Sequence, residues 1–330
     1  MKKLFTILAV AAILVSCAKE DVVREAEGEA IQFGNAFVDN ATRANDLTYG
    51  AVALEKFNVY GTVQGTGNGV VNIFDGDVVT GTVGTDANGD PNVWSCDVRQ
   101  YWIAGATYNF AAVVDIDKNT DNLPDGVATD ANGMPKTITY TTANQNDLLY
   151  ATAGPITGLA KDNQKVNFTF SHLLAKAQFT VKSNTEGGYY YSVKDIKVSN
   201  YSEGIYTIGA TTPWAVDADD ATEIEFRHIE KVTKADANGK TNATQMLLIP
   251  TTTDFKVSFT VEIWNDNGDA EDVLLGTTSY TGDAAKIVSQ DLVAGHVYDF
   301  NLDLKVGELI QFTVTSNPTW ADETDVNVTL

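Results

Sequence analysis

The chain has 330 residues, of which 44% are hydrophobic and 20% charged, so it has the composition of a globular protein long enough for two domains. Its formal net charge is −22, with the acidic residues spread along the chain rather than gathered in a tail. Such a surface repels nucleic acid and anionic lipid head groups, and we exclude nucleic acid as a partner.

The first sixteen residues have the layout of a signal peptide. Lys2 and Lys3 precede an apolar stretch that is too short to span a bilayer. The stretch closes on Leu14-Val15-Ser16-Cys17, which fits the lipobox at which bacterial lipoproteins are cleaved. We therefore predict export by the lipoprotein machinery, with diacylation (palmitate) of Cys17 as a membrane anchor. The alternative is an ordinary secretory signal with a chance cysteine.

Cys96 is the other cysteine of the chain, so no intrachain disulfide is possible once Cys17 carries lipid. Its strand-like surroundings predict a small, buried apolar side chain. We therefore expect stability to come from the buried core area alone.

Apolar and polar residues alternate with period two along most of the chain. The alternation is clear at 57–63, 166–170, 256–264 and 298–304. This pattern predicts half-buried antiparallel strands, with short helices only near 144–150 and 283–288. The turn-forming tetrapeptide Asp-Ala-Asn-Gly occurs at 86–89, 130–133 and 236–239. We therefore predict an all-β fold built from antiparallel β-sandwiches.

A connector with glycine, proline and polar residues lies near residues 154–165. It predicts the boundary between two tandem domains, an N-terminal sandwich over residues 44–160 and a C-terminal sandwich over residues 161–330. The signal peptide (1–16) and a further segment (17–43) precede the two domains.

One acidic loop has oxygen ligands at calcium-like spacing. Asp115, Asp117, Asn119 and Asp121 occupy alternate positions, as they do in loops that bind hard cations. Thr120, however, stands where such loops need glycine, and no bidentate glutamate follows. A solvated acidic loop is the favoured interpretation, so we predict no metal and no other cofactor.

The sequence lacks the common catalytic motifs. Its three histidines, His172, His228 and His296, are far apart, and none has a His or Cys at metal-ligand spacing. For His172, at the end of an apolar strand, we expect a structural hydrogen bond. The tyrosine run 189–191 could offer exposed rings to a sugar, but alternating strand positions are the simpler interpretation. We predict that the protein is not an enzyme.

Short segments distributed over most of the chain form an ordered set. They are Ile-Gln-Phe at 31–33, Ala-Thr-Arg-Ala at 41–44, Asp-Leu-Leu-Tyr-Ala at 147–151, His-Leu-Leu-Ala-Lys at 172–176, Met-Leu-Leu-Ile-Pro at 246–250, Ala-Gly-His-Val-Tyr at 294–298, Ile-Gln-Phe-Thr-Val at 310–314, and Trp320. In order and spacing they resemble the fimbrillin family of Bacteroidales, the subunits of type V pili, and its Mfa-like branch in particular.

The resemblance implies two transthyretin-like β-sandwich domains and delivery to the outer membrane as a lipoprotein. It also implies that a trypsin-like, Arg-specific protease cuts after Arg43, leaves Ala44 as the new N-terminus and frees the strand-like segment 30–38. The groove left behind would expose unpaired backbone and apolar surface, which a strand from another subunit could fill. A solitary arginine in a polar linker is the competing interpretation of Arg43.

The C-terminal residues 308–330 form the candidate donor strand. Their apolar positions, with the tryptophan between two alternating stretches, are Ile310, Phe312, Val314, Trp320, Val326, Val328 and Leu330. We predict insertion of this tail into a like or related subunit, which builds a head-to-tail polymer because the contact does not close on itself. Two alternatives remain: a tip or anchor subunit of the same fimbria, and a stand-alone surface lipoprotein that binds glycans or calcium.

Overall fold

The structure, a computed structural model, describes residues 29–38, 56–65, 67, 69–83, 91–116, 126–159, 164–184, 188–241, 245–268, 271–305, 310–317 and 327–329. Within these residues the regular structure is β-strand apart from short 3-10 turns at Thr142–Asn144, Ala218–Asp220, Lys234–Asp236 and Gly282–Ala284. The all-β prediction is therefore confirmed. No helix in this described part of the chain is long and apolar enough to cross a membrane.

The described residues of the first half of the chain, up to residue 172, form nine strands. They are β1 (Gln32–Val38), β2 (Lys56–Gln64), β3 (Val70–Val83), β4 (Pro91–Cys96), β5 (Thr107–Ile116), β6 (Val127–Thr129), β7 (Pro135–Thr141), β8 (Asp147–Thr157) and β9 (Lys165–His172). Seven of them form one sheet in the order β1-β4-β3-β2-β5-β8-β9, and β9 pairs back onto β1. The sheet of this sandwich therefore closes on itself.

Strand β9 illustrates how the sequence pattern produces a strand of the closed sheet. Val166, Phe168 and Phe170 point inward and are buried, whereas the residues between them are exposed. The inward side chains join an aromatic core that also contains Phe57 and Phe110. Alternation with period two thus places one face of β9 in the core and the other in solvent.

The described residues of the second half, from residue 173 onward, form fourteen strands. They are β10 (Ala175–Ser183), β11 (Tyr189–Tyr201), β12 (Glu203–Thr207), β13 (Trp214–Ala215), β14 (Ala221–Glu225), β15 (Ile229–Val232), β16 (Lys240–Thr241), β17 (Met246–Leu248), β18 (Phe255–Asn265), β19 (Val273–Tyr280), β20 (Lys286–Val288), β21 (Val297–Leu304), β22 (Gln311–Asn317) and β23 (Asn327–Thr329). One sheet has the order β16-β10-β21-β22-β23, with β17 beside β10. The other has the order β14-β11-β18-β19, with β15 and β20 beside β11 and β18. A core containing Phe179, Phe259 and Phe300 draws on both sheets.

A fourth sheet joins the two halves. Its order is β13-β12-β7-β6, so strands from both halves lie side by side. Beneath it, Leu148 of the first half packs in one cluster with Leu247 and Ile249 of the second. The Gln145 side chain forms two further hydrogen bonds between the halves. It donates to the Leu247 carbonyl (3.1 Å) and accepts from the Leu247 N–H (2.6 Å).

Both halves contain the same tyrosine-bridged turn. In the first half the Tyr108 hydroxyl accepts from the Ile103 N–H (2.7 Å) and donates to the Tyr101 carbonyl (3.0 Å). In the second, the Tyr298 hydroxyl accepts from the Val293 N–H (2.8 Å) and donates to the Asp291 carbonyl (2.7 Å). The spacing along the chain is the same in both, which supports two sandwiches of one kind in tandem.

Some predicted details differ in the structure. The predicted domain boundary at 160/161 falls between β8 and β9, yet β9 pairs with both β8 and β1, so residues 165–172 lie with the first half. The predicted short helices near 144–150 and 283–288 are wrong beyond single 3-10 turns, since the cross-strand partners of β8 and β20 make these residues extended.

The Asp-Ala-Asn-Gly turns are confirmed at the two described copies. The Gly133 N–H donates to the Asp130 carbonyl (3.0 Å), and the Gly239 N–H donates to the Asp236 carbonyl (2.9 Å). Gly133 has φ of 84° and Gly239 has φ of 106°, values that favour glycine. The copy at 86–89 lies outside the described residues.

Candidate strand-exchange site

Strand β1 closes the first sheet by lying between β9 and β4. It runs parallel to β9, with Gln32 beside Lys165 and Phe33 beside Val166, and antiparallel to β4, with Phe33 opposite Trp94. Just before β1, the Ile31 N–H donates to the Gln100 carbonyl at 2.7 Å. Removing β1 would therefore leave unpaired backbone groups along two strands at once.

Among the β1 side chains that the structure describes, Phe33 is the one inserted into the core. It is only 5% exposed, and its ring centroid lies 6.0 Å from that of Phe57, 5.7 Å from that of Phe74 and 6.2 Å from that of Phe168. Ile31, two residues earlier, belongs to the same cluster. Truncating a buried phenylalanine costs about 3–5 kcal/mol in cores of this kind, so Phe33 anchors β1 strongly.

The ladder between β1 and β9 is interrupted directly after Phe33. Phe33 is paired with Val166 but the next pair is Ala36 with Phe168, so β1 has one residue more than β9 across this step. At Gly34 an added Cβ would meet the flexible end of the Asn167 side chain and come close to the Lys165 Cβ. Such a bulge leaves backbone groups without ladder partners and weakens the strand's hold.

The predicted processing residues lie beside β1 in the chain but outside the described residues. Arg43 and Ala44 fall in the stretch 39–55, the covalent connection from β1 to β2, and Cys17 precedes the described part. A cut after Arg43 would leave β1 held to the rest of the chain by non-covalent contacts alone. Lipidation of Cys17 and cleavage after Arg43 remain predictions.

The predicted donor residues do not form a free tail where the structure describes them. Phe312 and Val314 of β22 are buried in the core of their own sandwich, Phe312 being 8% exposed, and Ile310 packs against that core. Val328 lies in β23, opposite Val314. Trp320, Val326 and Leu330 lie outside the described residues. The donor role therefore remains a prediction, and it requires β22 to leave its own sheet.

The calcium candidate is only partly described. Asp115 lies near the end of β5 and is half-buried, whereas Asp117, Asn119 and Asp121 lie outside the described residues. Among the residues that are described, no group of three or more His, Cys, Asp or Glu side chains is placed to hold a metal ion. The interpretation as a solvated acidic loop without a metal therefore stays a prediction.

His172 has the structural role that its place in the sequence predicts. Its Nδ1 lies 2.8 Å from Asp147 Oδ2, and the two residues are 9% and 2% exposed. Asp147 begins β8 and His172 ends β9, so the pair joins two strands of the closed sheet. Its burial denies a substrate direct access, which fits a structural role rather than catalysis.

Two tyrosines of the run 189–191 pack within the second sandwich. Tyr191 is buried in the core, and the Tyr190 ring stacks on Trp264 with centroids 6.2 Å apart. Lys231 lies 5.1 Å from the Tyr190 ring centroid, and Lys194 lies 5.9 Å from that of Trp264. Because amino groups and aromatic neighbours already contact these rings, the cluster favours cross-strand stabilisation over a sugar platform.

Cys96 ends β4, the antiparallel neighbour of β1. It is half-buried rather than fully buried as predicted, and it is a free thiol. Burial raises the pKa of the Cys96 thiol; a backbone hydrogen bond at Val98 opposes that rise, and the charges of Asp77 and Asp97 add to it. The thiol is therefore less reactive at neutral pH than an ordinary cysteine.

Comparisons with known proteins agree with this architecture. The model of a family described as fimbrillin-like matches residues 42–318. A fimbrial protein from Bacteroides vulgatus has a similar structure, with a TM-score of 0.62 and 17% sequence identity over 88% of this chain and 99% of that one. A proposed cell adhesion protein from Bacteroides ovatus has a TM-score of 0.50 and 15% identity over 90% and 99% of the two chains. No curated protein matches the sequence.

At these identities the two solved structures show a shared fold, while the family match extends over most of the sequence, from β2 to β22. It begins at residue 42, next to Arg43, and ends just beyond β22. The chain therefore belongs to the fimbrillin-like family, whose members are fimbrial subunits of the cell surface.

Proposed function

We propose that this chain is a shaft subunit of a fimbria, exported as a lipoprotein precursor, cleaved after Arg43 and polymerised by strand exchange. The lipid on Cys17 delivers the precursor to the outer membrane. An Arg-specific, trypsin-like protease then separates β1 from β2, and a C-terminal strand of another subunit takes the place of β1. The role is structural rather than catalytic.

The observation that carries this proposal is the position of β1 between two strands of the first sheet. Its departure opens the closed sheet at one place and exposes both the edge of β9 and the pocket of Phe33. Extended backbone beside an apolar pocket is the arrangement that a foreign strand completes, with ladder hydrogen bonds for affinity and side-chain pockets for register. β1 also precedes the predicted cut in the chain, so one cleavage suffices to free it.

Processing is tested by replacing the arginine at the predicted cut. We expect Arg43→Ala to accumulate as an unprocessed lipoprotein that forms no fimbriae, because β1 remains covalently tied to β2. Mass spectrometry of surface-extracted protein reports either lipid on Cys17 or a new N-terminus at Ala44. Arg24→Ala is the matched control, since a cut there would leave β1 attached, and this variant should assemble normally.

The same measurement separates the alternatives. A shaft subunit starts at Ala44 and forms long polymers, whereas a tip or anchor subunit caps a polymer without extending it. A stand-alone binding lipoprotein keeps its lipid and stays monomeric. Wild-type protein that retains residues 17–43 at the cell surface and never polymerises would refute the shaft assignment.

A further inference from the structure

The sequence that enters β1 occurs a second time at the start of β22. Residues 29–33 are Glu-Ala-Ile-Gln-Phe and residues 308–312 are Glu-Leu-Ile-Gln-Phe, so the two pentapeptides differ only at their second position. One segment belongs to the strand proposed to leave the first sandwich. The other belongs to the tail proposed to replace such a strand. Because the departing strand and the replacing tail share this sequence, one segment is suited to substitute for the other.

The two segments also present the same side chains to the same kind of environment. In each, the isoleucine and the phenylalanine face a core, and the glutamine between them is exposed. The Phe312 ring lies among Phe179, Phe259 and Phe300, with centroids 6.5, 5.9 and 6.3 Å away. Phe33 likewise packs against three phenylalanine rings. A pocket shaped for Phe33 therefore accepts Phe312 without a change in volume.

We propose that β22 of one subunit replaces β1 of the next in a single register, with Phe312 in the pocket of Phe33 and Ile310 in place of Ile31. The partner is thus a second copy of this chain, and the inference rests on the strand exchange proposed above. In this register Gln311 lies beside Lys165 and Phe312 beside Val166, as Gln32 and Phe33 do in β1.

The residues that follow the shared phenylalanine favour β22 over β1 as the partner of β9. After Phe33, β1 has Gly34 and a bulge, whereas β22 continues from Phe312 with Thr313, Val314 and Thr315. Threonine and valine favour extended backbone, and a strand without a bulge keeps its ladder continuous. Without the bulge Val314 reaches the position beside Phe168, which the smaller Ala36 occupies in β1. The replacement is therefore better matched to β9 than the strand it displaces.

Two features of the structure bear on how the exchange occurs. Among the described strands, β23 alone lies on the outer side of β22, so departure of β22 breaks its pairs with β21 and the short pairing with β23 and withdraws Phe312 and Val314 from the second core. Thr313 would take the place of Gly34, where a side chain meets the flexible end of Asn167. Asn167 is exposed on β9 and can rotate away from that contact. The Lys165 side chain of β9 must also shift slightly, since its Cβ lies 3.3 Å from the Cβ that Thr313 would bring to this position.

The register is tested by disulfide trapping in full-length chains that carry Cys96→Ser. Neighbouring strands are about 4.8 Å apart, within the Cα separation that a disulfide spans. We expect Lys165→Cys with Gln311→Cys to give a covalent ladder of subunits on a non-reducing gel of oxidised fimbriae. Lys165→Cys with Thr313→Cys is the matched control, displaced by two residues or about 6.6 Å. We expect at least a tenfold weaker ladder from it.

Two controls make the trapping decisive. Gln32→Cys with Lys165→Cys in an Arg43→Ala chain should form an intramolecular disulfide, which shows that the geometry closes. A synthetic peptide of residues 308–317 with cysteine at position 311 or 313 can be added to the Lys165→Cys chain during cleavage. Intact mass then reports which peptide forms the mixed disulfide, independently of whether the double variants fold.

The outcomes separate the register from the strand exchange itself. A dominant ladder and a dominant peptide adduct at position 311 support the inference. Preference for position 313, or equal trapping at both positions in fimbriae that still form, refutes the register and leaves the strand exchange intact. Failure of the wild-type chain to lose residues up to Arg43 and polymerise refutes the proposed function instead.

Discussion

Strands β1 and β22 carry the same side-chain pattern but are held in different ways. β1 has an interrupted parallel ladder with β9 and a single pair, Phe33 with Trp94, on the β4 side. β22 has a continuous antiparallel ladder with β21, from Gln311 to Asn317, and the shorter β23 on its other edge. The two strands therefore insert similar apolar side chains into a core but differ in how continuous their backbone pairing is. The side-chain pattern thus determines which pocket a strand fills, whereas the backbone hydrogen bonds to its neighbours determine how easily the strand leaves that pocket.

The largest expected effect comes from fastening the weaker strand. A disulfide between Gln32→Cys and Lys165→Cys, in a Cys96→Ser chain with an intact Arg43, would hold β1 in its groove after cleavage. We expect fimbriae to be absent under oxidising conditions and to form after reductant is added. Electron microscopy of surface material and N-terminal mass spectrometry measure assembly and cleavage separately.

The single variant Gln32→Cys is the control for this lock. It changes an exposed position without linking two strands, so it should assemble with or without reductant. Normal fimbriae from the oxidised, cleaved double variant would show that β1 need not leave, which would overturn the contrast between the two strands.

A second prediction compares the two phenylalanine anchors. In the uncleaved chain, Phe33→Ala and Phe312→Ala should each lower the free energy of unfolding by about 3–5 kcal/mol, since each empties an aromatic pocket. In chains that begin at Ala44, Phe33 is gone and only Phe312→Ala retains its effect on the monomer. Urea unfolding followed by tryptophan fluorescence measures the change.

Exposed neighbours provide the controls for these anchors. Gln32→Ala and Gln311→Ala should change the free energy of unfolding by no more than about 0.5 kcal/mol, because both side chains face solvent. A loss below about 1 kcal/mol for Phe33→Ala in the precursor would contradict the strong anchoring of β1 that its burial indicates.

The smallest effect concerns Cys96, at the end of the strand beside β1. Because burial raises the pKa of its thiol, alkylation by iodoacetamide in the precursor should reach half its maximal rate at a higher pH than for an ordinary cysteine. Departure of β1 should expose β4 and move that pH back toward the ordinary value. The urea-unfolded chain supplies the reference, and identical profiles for precursor and unfolded chain would contradict the assigned burial.

Short sequence patterns predicted the strands and turns, because these elements depend on residues close together in the chain. Alternation in β9 and β21 predicted strands, and Asn-Gly in two of the tetrapeptides predicted turns with positive φ. The His172 hydrogen bond was also predictable in kind from its place at a strand end. Its partner Asp147 was not, because 25 residues of chain separate the two.

The candidate site was predictable only in part. The apolar segment 30–38 beside Arg43 indicated a detachable strand, and the structure places residues 32–38 of it between β9 and β4. The residues of β22 were predicted as donor positions, but their burial in the second sandwich was not, since alternation shows that one face is apolar without showing what covers it. The Ile-Gln-Phe repeat was the available signal linking the two strands.

The sequence by itself determined the strands, their inward faces, the turns and the ordered segments that resemble the fimbrillin family. These follow from side-chain period, backbone preference and residue identity over short spans. Only the tertiary structure decided that β9 closes the first sheet through β1, that β22 completes the second core and that a fourth sheet joins the halves. Strand partners far apart in sequence are selected by the packing of whole faces, which no local pattern contains.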